Sequence, residues 1–341
     1  MRKLSWFNKL VFVINSLFAT ILLLSYLLPY ISPKTFPIIS ILSLTVPALI
    51  LINISFSIYW LIKLKRQFLL SLFVLVIGFQ TINSFFQVAE KKVLLTDDLK
   101  IMSYNVRLFN IYKWKKEGKE ETLKFVSDFI KEKDPDIICF QEFLTKSKVN
   151  FDYKYKFVNN NPNKRVSYFG QAIYSKYKII NSGSLDFNST ANNAIFVDIV
   201  KNKDTIRIYN VHLESQKIQL DKENFGEKDS EKLIQRLKKT FKLQAEQSEK
   251  LVAHEKISNY KTIICGDFNN TAFSWAYRKL KGNKNDAFVE AGKGFGKSYD
   301  YFFPARIDFI LTDKQFEVNN FKTYTVKYSD HFPIMARLKI N

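Results

Sequence analysis

Polar side chains that could bind a metal ion and a phosphate follow a series of apolar segments between residues 103 and 331. Each group places one or two carboxylates, amides or imidazoles at the end of an apolar run that is typical of a buried strand. In chain order the motifs are Ser103-Tyr104-Asn105-Val106, Phe140-Gln141-Glu142, Asn210-Val211-His212-Leu213, Gly266-Asp267-Phe268-Asn269, Arg306-Ile307-Asp308-Phe309 and Ser329-Asp330-His331. Oxygen ligands suit hard metal ions, and such ions assist the hydrolysis of phosphate esters. Each motif is weak alone, but six in this order predict one shared site.

The motifs need strands that end at one edge of a sheet. Apolar runs predict strands over residues 99–106, 136–142, 171–174, 194–200, 205–213, 261–266, 306–312, 316–324 and 333–340. Helical periodicity predicts helices over residues 120–133, 230–256 and 271–280. Several consecutive strands have no helix between them, which favours stacked mixed sheets with helices outside over a doubly wound parallel sheet. Residues 292–297 lack the spacing of a phosphate-binding loop and are predicted to form a mobile surface loop.

The first 92 residues predict a membrane anchor. Three stretches contain no charged residue, at about residues 10–28, 36–62 and 68–89. About 20 apolar residues cross the hydrocarbon core as a helix, so each stretch could be a transmembrane helix. A cleaved signal peptide is the less favoured interpretation of the first stretch, because two more follow it. The amides of Asn15, Asn53, Gln80 and Asn83 within these stretches indicate hydrogen bonds between helices.

Basic residues predict the orientation of this anchor. Arg2, Lys3 and Lys9 precede the first stretch, and Lys63, Lys65 and Arg66 lie between the second and third. Positive residues favour the cytoplasmic side, so the N-terminus is expected there. With three spans, residues 93–341 then lie on the opposite side. The prediction is an integral protein of a bacterial-type inner or plasma membrane, with an extracytoplasmic soluble domain close to the bilayer.

The soluble domain is basic and poor in cysteine. Residues 93–341 contain 43 basic and 31 acidic residues, a net charge of +12. This charge fits either a lysine-rich solvated surface or attraction to a polyanion or an anionic membrane. The two cysteines, Cys139 and Cys265, lie in apolar strands, so we expect buried thiols and no disulfide framework.

Together the six motifs resemble those of the endonuclease/exonuclease/phosphatase superfamily, the DNase I-like fold. The resemblance covers about residues 97–341 and implies an α/β four-layer sandwich of two mixed β-sheets flanked by helices. The three transmembrane α-helices would precede this fold. The predicted domains are therefore an anchor over residues 1–92 and a catalytic domain over residues 93–341.

The resemblance also implies roles for individual residues. Glu142 would be the main ligand of Mg²⁺ (or Mn²⁺), and Asp330 a further ligand. Asp267 would activate the attacking water, and Asp308 would orient and polarise a neighbouring imidazole. The side chains that would contact the phosphate or stabilise its charge are Asn105, Asn269, His212 and His331.

The substrate stays open at the level of sequence. The favoured function is a membrane-anchored nuclease-type phosphodiesterase, with nucleic acid as substrate. A lipid phosphodiesterase or phosphatase acting on phospholipid is the alternative, and an inactive membrane-bound interaction module is the third. No obligate protein partner is inferred. Arg107, Arg165 and Arg306 are candidate substrate contacts. The aromatic run Tyr299, Tyr301, Phe302 and Phe303 could stack bases, enter a membrane interface or pack beneath its own loop.

Overall fold

The computed structural model of the 341-residue chain describes residues 4–145, 149, 151–160, 169–188, 190–217 and 227–340. An N-terminal helical region precedes an α/β sandwich. The helices are α1 (Trp6–Ser25), α2 (Pro37–Ile41), α3 (Val46–Ile62), α4 (Phe68–Ile77), α5 (Phe79–Asn83), α6 (Lys119–Lys133), α7 (Glu227–Lys256), α8 (Trp275–Lys281) and α9 (Ala287–Ala291), with 3₁₀ turns at Leu28–Tyr30, Leu42–Thr45 and Arg107–Asn110.

Among the described residues, twelve strands form the two sheets of the sandwich. They are β1 (Leu99–Asn105), β2 (Ile137–Leu144), β3 (Tyr155–Asn160), β4 (Phe169–Ser175), β5 (Lys178–Ser184), β6 (Asn193–Lys201), β7 (Asp204–His212), β8 (Lys261–Asp267), β9 (Asn285–Asp286), β10 (Asp308–Thr312), β11 (Phe316–Thr323) and β12 (Ile334–Ile340). The first sheet has the order β11-β12-β1-β2-β4-β3, and the second has the order β5-β6-β7-β8-β10-β9. Each sheet combines one parallel pair, β1–β2 or β7–β8, with antiparallel neighbours. The predicted mixed sheets flanked by helices are confirmed.

Side chains alternate between the two faces of each sheet, so the sheets pack against each other on one face and against helices on the other, which produces four layers. In β1, Ile101 faces the core between the two sheets, whereas Tyr104 faces the outer side of the first sheet. The apolar face of α6, which includes Val126, covers that outer side. On the second sheet, Leu251 of α7 and Leu280 of α8 cover the outer side. Both cysteines are buried and free, as predicted, and both lie in the core between the sheets.

The first two apolar stretches form long helical segments. Residues Trp6–Tyr30 and Pro37–Ile62 are long and apolar enough to cross a membrane, by length and composition. Their extent agrees with the predicted stretches to within a few residues. Within the described part of the chain, these are the two candidate spans.

The third predicted span, at residues 68–89, is not a single long helix. It consists of the ten-residue helix α4 and the five-residue helix α5, which meet at Gly78. A β-carbon at Gly78 would lie 2.1 Å from the end of the Tyr26 side chain, so a larger residue there would have to displace the Tyr26 ring. Ten residues rise only about 15 Å, half of the hydrocarbon core. The predicted count of three full-length spans is therefore corrected to two.

Amide and hydroxyl groups join α1, α3 and α4. Asn15 donates to the hydroxyl of Ser71 at 2.6 Å and accepts from Trp60 Nε1 at 2.9 Å. Ser71 donates to Asn53 Oδ1 at 3.0 Å, and Asn53 donates to the Phe18 carbonyl at 3.2 Å. The predicted interhelical role of Asn15 and Asn53 is confirmed.

Candidate active site

All six motifs reach one end of the sandwich because of strand direction. The parallel strands β1 and β2 end together, which pairs Asn105 with Gln141. The parallel strands β7 and β8 end with His212 beside Asp267, and the antiparallel β10 begins with Asp308 beside Asp267. Strand β12 runs antiparallel to β1, so the motif that precedes it arrives at the same end. Two sheets packed face to face thus bring the motifs to one cluster.

Asp267 lies at the centre of this cluster and is 1% exposed. Its Oδ1 accepts the backbone N–H of Asn269 at 2.7 Å, and its Oδ2 accepts the side-chain amide of Asn105 at 3.1 Å. The Asn269 side chain donates to the Leu213 carbonyl at 2.9 Å, which ties the end of β8 to the end of β7. These bonds fix the carboxylate in one orientation.

Gly266 allows the close strand approach that places Asp267. Its φ is +142°, which other residues rarely adopt, and a β-carbon there would lie 1.9 Å from the Val211 carbonyl oxygen. Residues 262–267 of this strand are buried, so the backbone at this point cannot move away. We therefore expect any side chain at residue 266 to push β7 and β8 apart at the site.

His331 and Asp308 form a buried imidazole–carboxylate pair. Nδ1 of His331 lies 2.9 Å from Oδ2 of Asp308, and Nε2 lies 3.7 Å from Oδ2 of Asp267. A carboxylate that accepts the Nδ1 proton fixes the ring and turns Nε2 toward the site. His331 is therefore held between two carboxylates.

The pKa values of Asp267 and His331 are both raised, but for different reasons. Burial raises the pKa of Asp267 to about 7, although the nearby His331 opposes the shift. Burial alone would lower the pKa of His331, but the Asp308 and Asp267 carboxylates outweigh it and raise that pKa to about 10. At neutral pH the imidazole is accordingly positively charged, and its Nε2 faces the Asp267 carboxylate.

His212 and Glu142 complete the cluster on the other side of Asp267. Nε2 of His212 lies 3.6 Å from Asp267 Oδ2 and 3.8 Å from Glu142 Oε1. The β2–β4 pairing shifts register between Phe140 and Phe143, and Glu142 adopts a φ of +48° at this bulge. Such a backbone costs on the order of 1–3 kcal/mol for a residue other than glycine. The bulge leaves the Glu142 side chain 26% exposed at the floor of the site.

Three buried residues form a group that could hold a metal ion by geometry. Asp267, Asp308 and His331 each offer a ligand atom, and these atoms lie within 4.8 Å of one another. One of those atoms, Asp308 Oδ2, already receives the hydrogen bond from His331. The Glu142 carboxylate lies outside this group, and its side chain is 26% exposed.

Arg107 and Asp330 meet at the rim of the site. Nη1 of Arg107 lies 2.8 Å from Oδ2 of Asp330, and the guanidinium stacks 4.3 Å from the ring centroid of Trp114. Arg107 is thus adjacent to the site, where a substrate could meet it. The same ion pair offsets the charge of Asp330, which weakens the prediction that Asp330 is a metal ligand.

The structure does not support the prediction that Arg306 contacts substrate. Arg306 is 6% exposed, and its guanidinium donates to Asp286 at 2.8 Å and to the Ser84 carbonyl at 2.9 Å. It also lies over the rings of Phe288 and Phe309. These contacts make it a structural residue. Arg165 lies outside the described residues.

Sequence reasoning missed the side chains that support the site from below. The Asn210 amide donates to the carbonyl groups of Phe140 and Ala172 in the opposite sheet, and its Oδ1 accepts from Gln141 at 2.7 Å. Gln171 donates to the Asn210 carbonyl at 3.0 Å. Gln141 and Asn210 belong to motifs that were identified for their neighbours. The signal that could have found them is a buried amide inside an otherwise apolar strand.

Sequence reasoning also missed the role of residues 298 and 299. The buried hydroxyl of Ser298 accepts the backbone N–H groups of Ile307 and Asp308, each at 3.0 Å. The ring of Tyr299 packs edge-on against His331 with 5.0 Å between centroids. Within the predicted aromatic run, Phe302 is 82% exposed, whereas Phe303 packs against Phe85.

The fold and this cluster define a class: a four-layer α/β sandwich with an acid–amide–imidazole site where the two sheets end. The sequence matches the Endonuclease/Exonuclease/phosphatase family over residues 102–331, and the chain belongs to that family. Residues 8–85 match a separate domain of unknown function, DUF8431. A comparison with functionally curated proteins gave no match.

Solved structures share the fold of this chain at low sequence identity. An endonuclease/exonuclease/phosphatase family protein from Bacteroides thetaiotaomicron has a TM-score of 0.56 at 17% identity, covering 73% of this chain and 100% of that one. The human Nocturnin catalytic domain with bound sulfate has a TM-score of 0.54 at 16% identity, covering 73% and 96%. A mannosyl-6-phosphatase from Bacteroides thetaiotaomicron VPI-5482 has a TM-score of 0.51 at 18% identity, covering 71% and 100%.

Proposed function

We propose that this chain is a membrane-anchored, divalent-metal-dependent phosphoesterase that hydrolyses phosphodiester bonds by attack of an activated water. The observation that carries the proposal is the convergence of Asn105, Asp267, Asp308 and His331 with His212 and Glu142 at one end of the sandwich. Family membership supports the hydrolysis of phosphate esters as the reaction class. The sulfate in the Nocturnin domain is consistent with a fold that receives a tetrahedral anion.

The residues of the site fit a magnesium or manganese ion. Mg²⁺ is commonly held by one or two carboxylates, with water and substrate oxygens filling the other positions. Glu142 supplies such a carboxylate, and the strained φ of +48° that presents it is the kind of backbone found at functional sites. When bound, the ion would polarise the phosphoryl oxygens and stabilise the leaving oxygen.

The remaining residues supply acid–base and electrostatic functions. Asp267 accepts a proton from the attacking water at a carboxylate oxygen, held in place by the N–H of Asn269 and the amide of Asn105. His331, oriented by Asp308, places a positive charge beside the phosphoryl oxygens. His212 and the amides of Asn105 and Asn269 line the same space. The protein thereby stabilises charge that develops during in-line displacement.

We infer that the N-terminal helices anchor the enzyme in a membrane. Trp6–Tyr30 and Pro37–Ile62 are candidate spans by length and composition. Tyr30, at the end of the first candidate span, lies against Arg278 of the sandwich, with 3.9 Å between the guanidinium and the ring centroid. A cytoplasmic N-terminus would then lie across the membrane from the catalytic domain, and we propose an extracytoplasmic domain for this reason. A cysteine introduced at exposed Asn259 should react with an impermeant thiol reagent in intact cells, and protection of that cysteine would contradict the orientation.

Nucleic acid is the substrate class that we propose first, because the net charge of +12 over residues 93–341 favours a polyanion. A phospholipid is the second candidate, and a specific observation favours it. The N-terminal region packs directly on the sandwich through contacts such as Lys34 with Glu249 at 3.0 Å. Contacts of this kind would hold the site near lipid headgroups.

The test is hydrolysis by the full-length protein in detergent micelles. Plasmid DNA, single-stranded DNA, RNA, phospholipid vesicles and bis(4-nitrophenyl) phosphate would be offered with Mg²⁺, with Mn²⁺ and with a chelator. We expect one natural class to be cleaved, the chelator to stop cleavage, and Asp267→Asn to slow it by about 10²–10⁴-fold. Asp204→Asn is a matched control, because Asp204 forms a surface ion pair with Lys261.

The outcomes separate the three candidate functions. Cleavage of phospholipid without cleavage of nucleic acid would replace the nuclease proposal with the lipid one. Activity that survives the chelator would refute metal dependence. A protein that binds Mg²⁺ yet cleaves no substrate, including the synthetic ester, would favour the inactive interaction module.

A further inference from the structure

We propose that residues 84–87, here called the docking segment, are part of the catalytic architecture. They hold residues 292–306, here called the site loop, against the catalytic pair His331 and Asp308. The proposal rests on the proposed function for its kinetic readout only. It assigns the N-terminal region a positioning role in addition to anchoring.

One end of the site loop is joined to the docking segment by backbone and ring contacts. Gln87 and Gly294 exchange two backbone hydrogen bonds, each of 2.8 Å. The ring of Phe295 lies 5.0 Å from Phe85 and 4.9 Å from Phe86, centroid to centroid. The expected mobile surface loop at residues 292–297 is therefore corrected: these residues form an interface.

The other end of the site loop is joined to the catalytic pair. The Ser298 carbonyl accepts the N–H of Phe332 at 2.7 Å, and the N–H of Asp300 donates to the Asp330 carbonyl at 2.7 Å. These two bonds bracket His331, whose ring also meets Tyr299. The Ser298 hydroxyl receives the N–H of Asp308. Residues 298–300 thus position both members of the imidazole–carboxylate pair.

Two further contacts connect the docking segment to catalytic strands. Arg306, two residues before Asp308, donates to the Ser84 carbonyl. Phe273, which follows the Asp267 motif, lies 6.2 Å from Phe85, and both are buried in the apolar cluster of the N-terminal helices. The segments that carry Asp267 and Asp308 therefore contact the docking segment directly, and the segment that carries His331 contacts it through the site loop. Phe85 is 6% exposed and central to these contacts.

If the docking segment positions His331 and Asp308, truncation of Phe85 should disturb the geometry of this pair. A misplacement of about 1 Å far from the chemistry can cost about 10²-fold in rate. We expect Phe85→Ala to lower kcat on bis(4-nitrophenyl) phosphate by about 10–100-fold while KM changes less than about threefold. The synthetic ester is water-soluble, so this loss cannot reflect failed delivery of a lipid. Phe85→Leu should recover most of the rate.

Matched variants separate positioning from general damage. Phe56→Ala removes a phenyl ring from the same helical region, where Phe56 contacts Phe18, and should leave kcat unchanged. Tyr299→Phe should retain activity and Tyr299→Ala should lose it, because the ring rather than the hydroxyl packs on His331. If Phe56→Ala is as impaired as Phe85→Ala, the docking segment has no special role and the proposal fails.

Amide hydrogen exchange gives a readout that does not depend on activity. In full-length Phe85→Ala in detergent, the amides of Asp300, Asp308 and Phe332 should exchange at least about tenfold faster than in the unsubstituted protein. The amides of Ile138 and Cys139 in β2 should not change. Phe295→Ala, on the opposite side of the contact, should give the same pattern if Phe85→Ala fails to fold.

The two proposals fail in different ways. Unaltered exchange at Asp300, Asp308 and Phe332 in a folded Phe85 or Phe295 variant would overturn the positioning role, whatever the activity. An unsubstituted protein that hydrolyses no ester would overturn the proposed function, while the exchange experiment would still decide whether the docking segment orders the site.

Discussion

The N-terminal helices and the end of the sandwich both bury polar side chains, but they bury different chemistry. Among the helices, Asn15, Asn53, Ser71 and Trp60 satisfy one another with uncharged donors and acceptors. At the end of the sandwich, Asp267, Asp308 and His331 are also buried, and all three carry ionisable side chains. Burial of charge is costly unless it is compensated, so its concentration in one place indicates function.

The sandwich also contains an uncharged network, so the difference between charged and uncharged buried groups does not follow from the region of the chain. Gln141, Asn210 and Gln171 lie in the sandwich directly beneath the ionisable cluster, yet they are uncharged like the helical network. Their amides join β7 of one sheet to β2 and β4 of the other. Uncharged hydrogen-bond networks thus fix the relative positions of helices in one region and of strands in the other. The ionisable cluster lies directly above the network of the sandwich.

The largest expected effect that tests this comparison is on His331. Removal of one group that stabilises transition-state charge costs about 10²–10³-fold in kcat. We therefore expect His331→Asn to lower kcat on bis(4-nitrophenyl) phosphate by this factor in the full-length protein. The measurement is steady-state hydrolysis in detergent with saturating Mg²⁺.

His254→Asn provides the matched control for His331. His254 lies on α7, where its Nδ1 is 2.8 Å from the Tyr209 hydroxyl and its ring packs on Phe196. It belongs to a structural contact outside the cluster, so its substitution should change kcat less than about twofold. Equal losses in the two variants would show that histidine burial, rather than membership of the cluster, sets the activity.

Sequence alone was sufficient for the parts of the fold with strong patterns. The strands that carry motifs are buried on both faces, so their apolar runs and polar ends were recognisable, and strand direction then brought the ends together. The edge strands β3, β5 and β9 were missed, whereas the edge strand β11 was predicted. Strand β5 is mostly exposed, and among the described residues β5 pairs with β6 alone and β3 with β4 alone, so neither shows a clear pattern.

The remaining errors concern contacts between regions that are distant in sequence. An arginine beside a motif predicts a phosphate contact, but Arg306 pairs with Asp286 and with the Ser84 carbonyl, 222 residues away. The apolar stretch at residues 68–89 has the composition of a span, but Tyr26 packs against Gly78 and the helix breaks there. Neither partner can be identified from local periodicity. The individual roles of the predicted site residues stay predictions that the substitutions above would test.

An intermediate effect is expected for the neutral network of the sandwich. Asn210→Leu removes the side-chain donor to the Phe140 and Ala172 carbonyls and one of the three acceptors of the Gln141 amide. Each unsatisfied buried group costs about 1–3 kcal/mol, so we expect a loss of about 3 kcal/mol in the free energy of unfolding. The melting temperature in detergent should fall by about 6–12 °C. Asn259→Leu, at an exposed position, is the control and should melt within about 2 °C of the unsubstituted protein.

The smallest expected effect is in the neutral network of the helices. Asn15→Leu removes the partner of Ser71 and Trp60, and hydrogen bonds between membrane helices contribute on average about 0.6 kcal/mol each, with values up to about 2 kcal/mol. We expect a loss of about 1 kcal/mol and no change in kcat on the soluble ester, because the side-chain hydrogen bonds of Asn15 go to Ser71 and Trp60 within the helices. The same melting and hydrolysis assays measure both. If Asn15→Leu lowers kcat as Phe85→Ala is expected to, the helices act on the site as one body, and the docking segment would be only the nearest part of that body.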